Sequence, residues 1–168
     1  MPRVEPDIAD QADRSGVPTG LALTTLVLSI LGVAVTTYLT IAHYTTVVTL
    51  ACPTHGVINC ETVTSSEQSA ILSIPVALLG LIFYIAMTLL CIPQAWSRPQ
   101  LAYPRLGAAT IGVAFVFYLV YTELFTLDAI CLWCTSVHVI TLTLFALVAF
   151  ATAMDSPRRD RLRRTNKR

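Results

Sequence analysis

The chain has 168 residues and a formal net charge of +1, with 55% hydrophobic residues and only 12% charged ones. Soluble domains carry about twice that charged share. Six charges lie in residues 1–18 and nine in residues 155–168, so the long middle is almost free of charge. This excludes an ordinary soluble globule. The basic residues gather in a tail instead of on a folded face, which also sets nucleic-acid binding aside.

A bilayer core of roughly 30 Å needs about 20 apolar residues as a helix. Four uncharged runs approach or exceed that length, at about 21–42, 69–92, 106–122 or a little beyond, and 129–154. The first is too long for a signal peptide and lacks a charged leader region and a small-residue cleavage site, so it reads as a retained helix. The predicted fold is an all-α integral membrane protein: a four-transmembrane-helix bundle with a long outer loop between helices 1 and 2. Its organisation is a cytoplasmic N-terminal tail (1–18), a membrane domain (19–154) and a basic cytoplasmic C-terminal tail (155–168).

Lys and Arg set orientation, because cytoplasmic loops carry the positive excess. With both termini cytoplasmic, the inner side holds all 11, among them Arg3, Arg14, Arg98, Arg105 and the cluster from Arg158 to Arg168. The outer side holds Glu61, Glu67, Glu123 and Asp128 instead. The basic tail reads as a topology anchor and can also meet anionic lipid headgroups. The connection at 93–104 is short and flanked by Pro93 and Pro104, as a turn between antiparallel helices would be. The connection at 43–68 is much longer, and loops of that length tend to be functional.

This topology sorts the five cysteines. Cys52 and Cys60 fall in the long outer loop, Cys131 and Cys134 open the fourth helix at its outer end, and Cys91 sits alone at the inner end of the second. Four thiols therefore share the side on which disulfides persist. Cys131-Leu132-Trp133-Cys134 is a C-x-x-C at a helix start, where the helix dipole favours a thiolate. The same spacing serves metal sites, and with His138 one turn beyond Cys134 and His55 in the loop a metal reading stays open. A second C-x-x-C or an H-x-x-x-H is absent. Cys52 and Cys60 enclose seven residues, including Pro53 and Gly56, which favour a turn that brings the sulfurs together. Alone, that pair would brace the loop. Two pairs on one face form a relay, because exchange needs one thiolate to attack another disulfide.

Three stretches carry a family resemblance: Cys60-Glu-Thr-Val-Thr-Ser65-Ser66, Ile74-Pro-Val-Ala-Leu-Leu-Gly80-Leu-Ile-Phe-Tyr84, and Cys131-Leu-Trp-Cys134. Over residues from about 20 to 154 the chain resembles the vitamin K epoxide reductase family, in particular its bacterial homologues that act in making disulfides in exported proteins. The resemblance implies a quinone-dependent thiol–disulfide oxidoreductase of the bacterial inner membrane. It implies that Cys52 and Cys60 exchange with a thioredoxin-fold, DsbA-type partner, and that Cys131 and Cys134 pass electrons to menaquinone or ubiquinone. It further implies a transient Cys60–Cys131 bond, leaving Cys134 facing the quinone, and a role near the redox centre for Ser66. The local alternative for Ser65 or Ser66 is to cap a short helix starting in this loop.

The chain also departs from the family. Where animal members hold the quinone with an amide side chain and a tyrosine, this sequence has Val76 and His138. His138 is a donor for a quinone carbonyl or a histidine satisfied inside the bundle; as an ionisable residue in a span it is a functional candidate. Many bacterial homologues carry a fifth helix and a fused thioredoxin-like domain, so the expected partner here is a separate protein. Nothing in the sequence points to an epoxide substrate. The competing function is a non-catalytic four-span interaction protein with a structural loop disulfide, which leaves the C-x-x-C unexplained.

Overall fold

The structure, a computed structural model, describes residues 17–45, 50–52, 58–66, 69–71 and 74–165. It is mostly helical. In chain order the elements are α1 (Thr19–Tyr44), α2 (Cys60–Ser65), the two-residue strands β1 (Ala70–Ile71) and β2 (Ile74–Pro75), α3 (Val76–Cys91), α4 (Pro93–Trp96), a 3₁₀ turn (Pro99–Leu101), α5 (Ala102–Phe125) and α6 (Leu132–Thr165). Among the described residues, three helices are long and apolar enough to cross a membrane: Thr19–Tyr44, Pro99–Phe125 and Leu132–Met154. The apolar α3, with 16 residues, is shorter, about 24 Å at 1.5 Å per residue.

The second apolar run does not become one helix from residue 69. Pro75 lacks an N–H and pushes Ile74 into extended backbone, so the chain pairs Ala70 with Pro75 and Ile71 with Ile74 in a small antiparallel hairpin, and α3 starts only at Val76. The other boundaries move outward. Arg105 and Glu123 close the third run in sequence, yet both lie inside α5 and both are buried. The guanidinium of Arg105 stacks 3.6 Å over the Trp96 ring and its Nε donates to the Leu90 carbonyl at 2.8 Å, which caps the end of α3. α6 runs beyond Met154 to Thr165. The expected tail residues Arg3, Arg14, Lys167 and Arg168, and the loop residues His55 and Glu67, lie outside the described residues.

The packing has the pattern of a bundle made for lipid. α1 buries Ala22, Thr25, Ser29, Gly32, Thr36 and Leu39, spaced three or four residues apart on one face. Large apolar side chains such as Val27, Ile30, Leu89, Ile111, Phe117 and Phe150 point outward. Small residues inside let helix backbones approach closely where no hydrophobic force drives helices together. The buried hydroxyls are satisfied locally: Ser29 donates to Thr25 O at 2.8 Å, and Thr36 to Gly32 O at 2.7 Å. α1 packs chiefly on α3 and also on α6, and α5 packs on α6. At the closest approach Gly32 faces the Tyr84 ring, which is fully buried. The Tyr84 hydroxyl is bound to Val137 O at 2.9 Å and Thr141 Oγ1 at 2.8 Å, tying α3 to α6. Cys91 is sealed in a separate cluster with Met87, Trp96 and Val148, away from the other four cysteines.

Candidate active site

The sequence places Cys60 at the start of α2, and the N-cap of that short helix is Asn59, whose Oδ1 accepts from the Thr62 N–H at 3.1 Å. Ser65 and Ser66 therefore do not cap the start of α2. They lie at its far end, where Ser65 donates to Glu61 O at 2.6 Å and Ser66 to Val63 O at 2.9 Å. Residues just before α2 are registered against the approach to α6: Ile58 pairs with Ile130 in a parallel bridge, and the Asn59 N–H donates to Ile130 O at 3.1 Å. Cys60 and Cys131 follow directly from these two segments.

A second pair of contacts fixes Cys52. The residue before it, Ala51, donates its N–H to the Tyr38 hydroxyl at 3.1 Å and accepts at its carbonyl from Trp133 Nε1 at 3.1 Å. The Tyr38 and Trp133 rings meet with centroids 4.9 Å apart. Trp133 is an inner residue of the C-x-x-C itself, so one side chain serves both cysteine pairs. Cys52 and Cys60 form a disulfide, with Cα atoms 6.1 Å apart. Cys131 and Cys134 are free thiols. All four belong to one packed cluster with Val63, Leu127 and Ala129.

Cys131 stands immediately before α6 and takes the place of an N-cap. Its sulfur accepts the Cys134 N–H at 3.3 Å, as a serine oxygen would from the third residue of a helix. A hydrogen bond from the Cys134 thiol, joined by the backbone N–H groups of Cys134 and Trp133, holds the Cys131 thiol down from its ordinary 9.0 to about 7, against the opposing effect of burial. The outer thiol of the C-x-x-C is thus shifted towards the thiolate near neutral pH, the reactive form.

Cys134 opens onto a cavity of about 320 Å³ between α1, α3, α5 and α6. Most of its wall is apolar, including Leu39, Val76, Phe83, Phe115 and Val116, and its polar residues include Ser66, Tyr84, Thr141, Glu123 and His138. His138 is 5% exposed, and its Nε2 has no hydrogen-bond partner among the described residues. A buried imidazole nitrogen without a partner is costly, and a neutral aromatic ligand carrying carbonyl oxygens would supply what it lacks. The apolar wall and that one donor fit a quinone. Among the described residues, no three His, Cys, Asp or Glu side chains converge as metal ligands would.

The sequence profile of the vitamin K epoxide reductase family matches residues 23–149. The chain belongs to that family. Among curated proteins, no match is found. As a vitamin K epoxide reductase family member it is a membrane protein of thiol–disulfide redox chemistry.

Of the six residues expected at the site, Cys52, Cys60, Cys131 and Cys134 come together in one cluster, and Ser66 and His138 line the adjoining cavity. Sequence reading missed Tyr38, Trp133, Tyr84 and Glu123. For Glu123 a signal was there: a lone carboxylate at the edge of an apolar run, a few residues before the C-x-x-C. Trp133 lies inside the C-x-x-C and Tyr84 closes one of the three stretches that carry the family resemblance, while for Tyr38 no local pattern separates it from the other rings of the bundle.

Proposed function

We propose that the protein is a membrane thiol:quinone oxidoreductase that reoxidises an extracytoplasmic thioredoxin-fold thiol oxidase of the DsbA type and passes the electrons to menaquinone or ubiquinone. The observation that carries this reading is the joining of two cysteine pairs, one a disulfide and one a dithiol, in a single cluster at the mouth of an apolar cavity. A structural loop disulfide needs neither the second pair nor the cavity.

In the proposed cycle the reduced partner attacks the Cys52–Cys60 disulfide through its nucleophilic thiolate, and its second thiol resolves the mixed bond. The partner leaves oxidised and Cys52 and Cys60 are left as thiols. Cys60 then attacks Cys131 of the oxidised C-x-x-C, forming a Cys60–Cys131 bond and freeing Cys134 as a thiolate. Cys52 attacks Cys60, restores the loop disulfide and leaves Cys131 and Cys134 reduced. This is the redox state seen here. A quinone in the cavity supplies the sink for two electrons and two protons, and Cys134 and His138 are the groups that would face it. Ser66, on the cavity wall below α2, would orient it or the redox centre.

For orientation we infer a four-span bundle formed by α1, α3, α5 and α6, spanning residues 19–154, with both termini cytoplasmic and the cysteine cluster outside. The distribution of Lys and Arg supports it. α3 would complete its crossing with the hairpin before it, since non-helical backbone at membrane depth is tolerated where protein covers it. The basic end of α6 would lie against anionic lipid.

The relay is tested by Cys52→Ser. This variant lacks the thiol that resolves the Cys60–Cys131 bond, so acid quenching and mass spectrometry should find that disulfide accumulated. A Cys52→Ser protein that turns over normally with its partner would return the loop pair to a structural role.

A further inference from the structure

Glu123 has no part in the cycle above, yet it is a carboxylate at 6% exposure in the last turn of α5. Its position comes from the connection that follows. The Glu123 carbonyl accepts the Ala129 N–H at 3.2 Å, the Thr122 carbonyl accepts from Leu127 at 3.0 Å, and Asp128 takes a left-handed conformation (φ 48°) that closes the turn. This folds the segment before Cys131 back onto the end of α5, and the Glu123 side chain shares the cavity wall with Cys134 and His138. Among the described residues the charge acting on Glu123 comes from Cys131 and not from a cation, and Glu123 in turn acts on Cys134.

Burying an unpaired carboxylate is expensive, so its place beside a dithiol calls for a reason. The dithiol supplies one. The Cys134 N–H donates to the Cys131 sulfur at 3.3 Å, which holds the two cysteines together, and no S–S bond can form until the Cys134 thiol has lost its proton. His138 is another buried titratable group on the same cavity wall.

Building on the proposed thiol:quinone activity, we propose that Glu123 is the proton acceptor for oxidation of the Cys131–Cys134 pair. The Cys134 S–H bond breaks and an O–H bond forms on the Glu123 carboxylate. The two sulfurs then join as two electrons pass to the quinone. Glu123 returns its proton towards the reduced acceptor, and the second proton enters from water, to which Cys131 released its own. Dithiol and quinone thereby become disulfide and hydroquinone with two protons balanced. Among the described residues, the titratable groups that share the cavity wall with Glu123 are Cys134 and His138 on α6, Tyr84 on α3 and His43 at the end of α1, and Cys131 acts on it from just before α6.

The test uses the full chain in lipid nanodiscs with ubiquinone-1 as acceptor. Glu123→Gln should slow single-turnover oxidation of the C-x-x-C by about 10²-fold or more, the usual contribution of a positioned base, and leave Cys60-to-Cys131 exchange at the parent rate. Glu123→Asp should recover part of the loss, and added formate should accelerate the Gln variant and not the parent. As a readout apart from turnover, removing the charge should move the alkylation profile of Cys131 to lower pH, while the Cys52–Cys60 disulfide and the melting point confirm folding. A Gln variant that oxidises its dithiol at the parent rate would overturn the proposal. So would a slow variant with an unshifted alkylation profile that neither Asp nor formate rescues. If the parent itself passes no electrons to ubiquinone-1 or to a short-chain menaquinone, the thiol:quinone reading fails instead, and the alkylation shift still reports whether Glu123 governs the pair.

Discussion

Replacing Gly32 by Ala sets two opposed effects against each other. In an exposed helix the change would stabilise by about 1 kcal/mol, from propensity alone. Here the new Cβ would fall within the Tyr84 ring, among Cδ1, Cε1 and Cζ. That ring is fully buried and its hydroxyl is held by Val137 O and Thr141 Oγ1, so it cannot swing aside as the tip of a flexible chain would. Moving it breaks two hydrogen bonds at roughly 1 kcal/mol each. Moving α1 instead opens the α1–α3 contact, and overpacking of this kind costs about 1–3 kcal/mol. The clash outweighs the propensity gain, for a net loss of about 1 kcal/mol. Thermal unfolding in detergent should show a midpoint lower by roughly 2–4 °C, at the 2–4 °C per kcal/mol of a chain this size. In a Tyr84→Ala background the same change should be neutral or stabilising, because the obstructing ring is gone. A Gly32→Ala protein as stable as the parent, or one losing as much stability without Tyr84, would show that the interhelical contact is not as described.

Other consequences follow from the site. Cys134→Ala removes the main hydrogen bond that lowers the Cys131 thiol, so the pH midpoint for alkylation of Cys131 should rise from about 7 towards 9.0, with a tenfold or greater slowing at pH 7 measured by mass spectrometry. An unchanged midpoint would contradict the sulfur–sulfur hydrogen bond. His138→Leu removes one donor from the cavity, worth about 1 kcal/mol, and should raise the KM for quinone roughly fivefold while oxidation of the partner by the loop pair keeps its rate. An identical quinone titration would leave His138 as a packing residue. A membrane-impermeant thiol reagent added outside should label reduced Cys52 or Cys60 and never Cys91; labelling of Cys91 from outside would reverse the orientation.

The three long apolar helices and the grouping of cysteines were legible in the sequence because both follow from local rules. An uncharged run of membrane length reads directly, and a C-x-x-C at a helix start needs only spacing and the helix dipole. What reading by charge could not see is burial by partnership. Arg105 sits inside a helix because Trp96 stacks on it and Leu90 O accepts from it, and Glu123 because the turn at Leu127–Ala129 folds over it. Both look like boundaries until their long-range neighbours are known. Pro75 did carry the signal that shortens α3, through its missing N–H and its constraint on Ile74, but an apolar count runs straight through it. The Tyr38–Ala51–Trp133 contact joins three residues far apart in sequence, and no spacing encodes it.

The most direct test of the central claim follows the absorbance of quinone in membranes carrying the protein after addition of a reduced DsbA-type donor. The account predicts one quinone reduced per donor dithiol oxidised, with the flux lost in Cys134→Ala even though Cys52, Cys60 and Cys131 can still exchange among themselves. Quinone reduction that persists without Cys134, or donor oxidation with no quinone consumed, would contradict it.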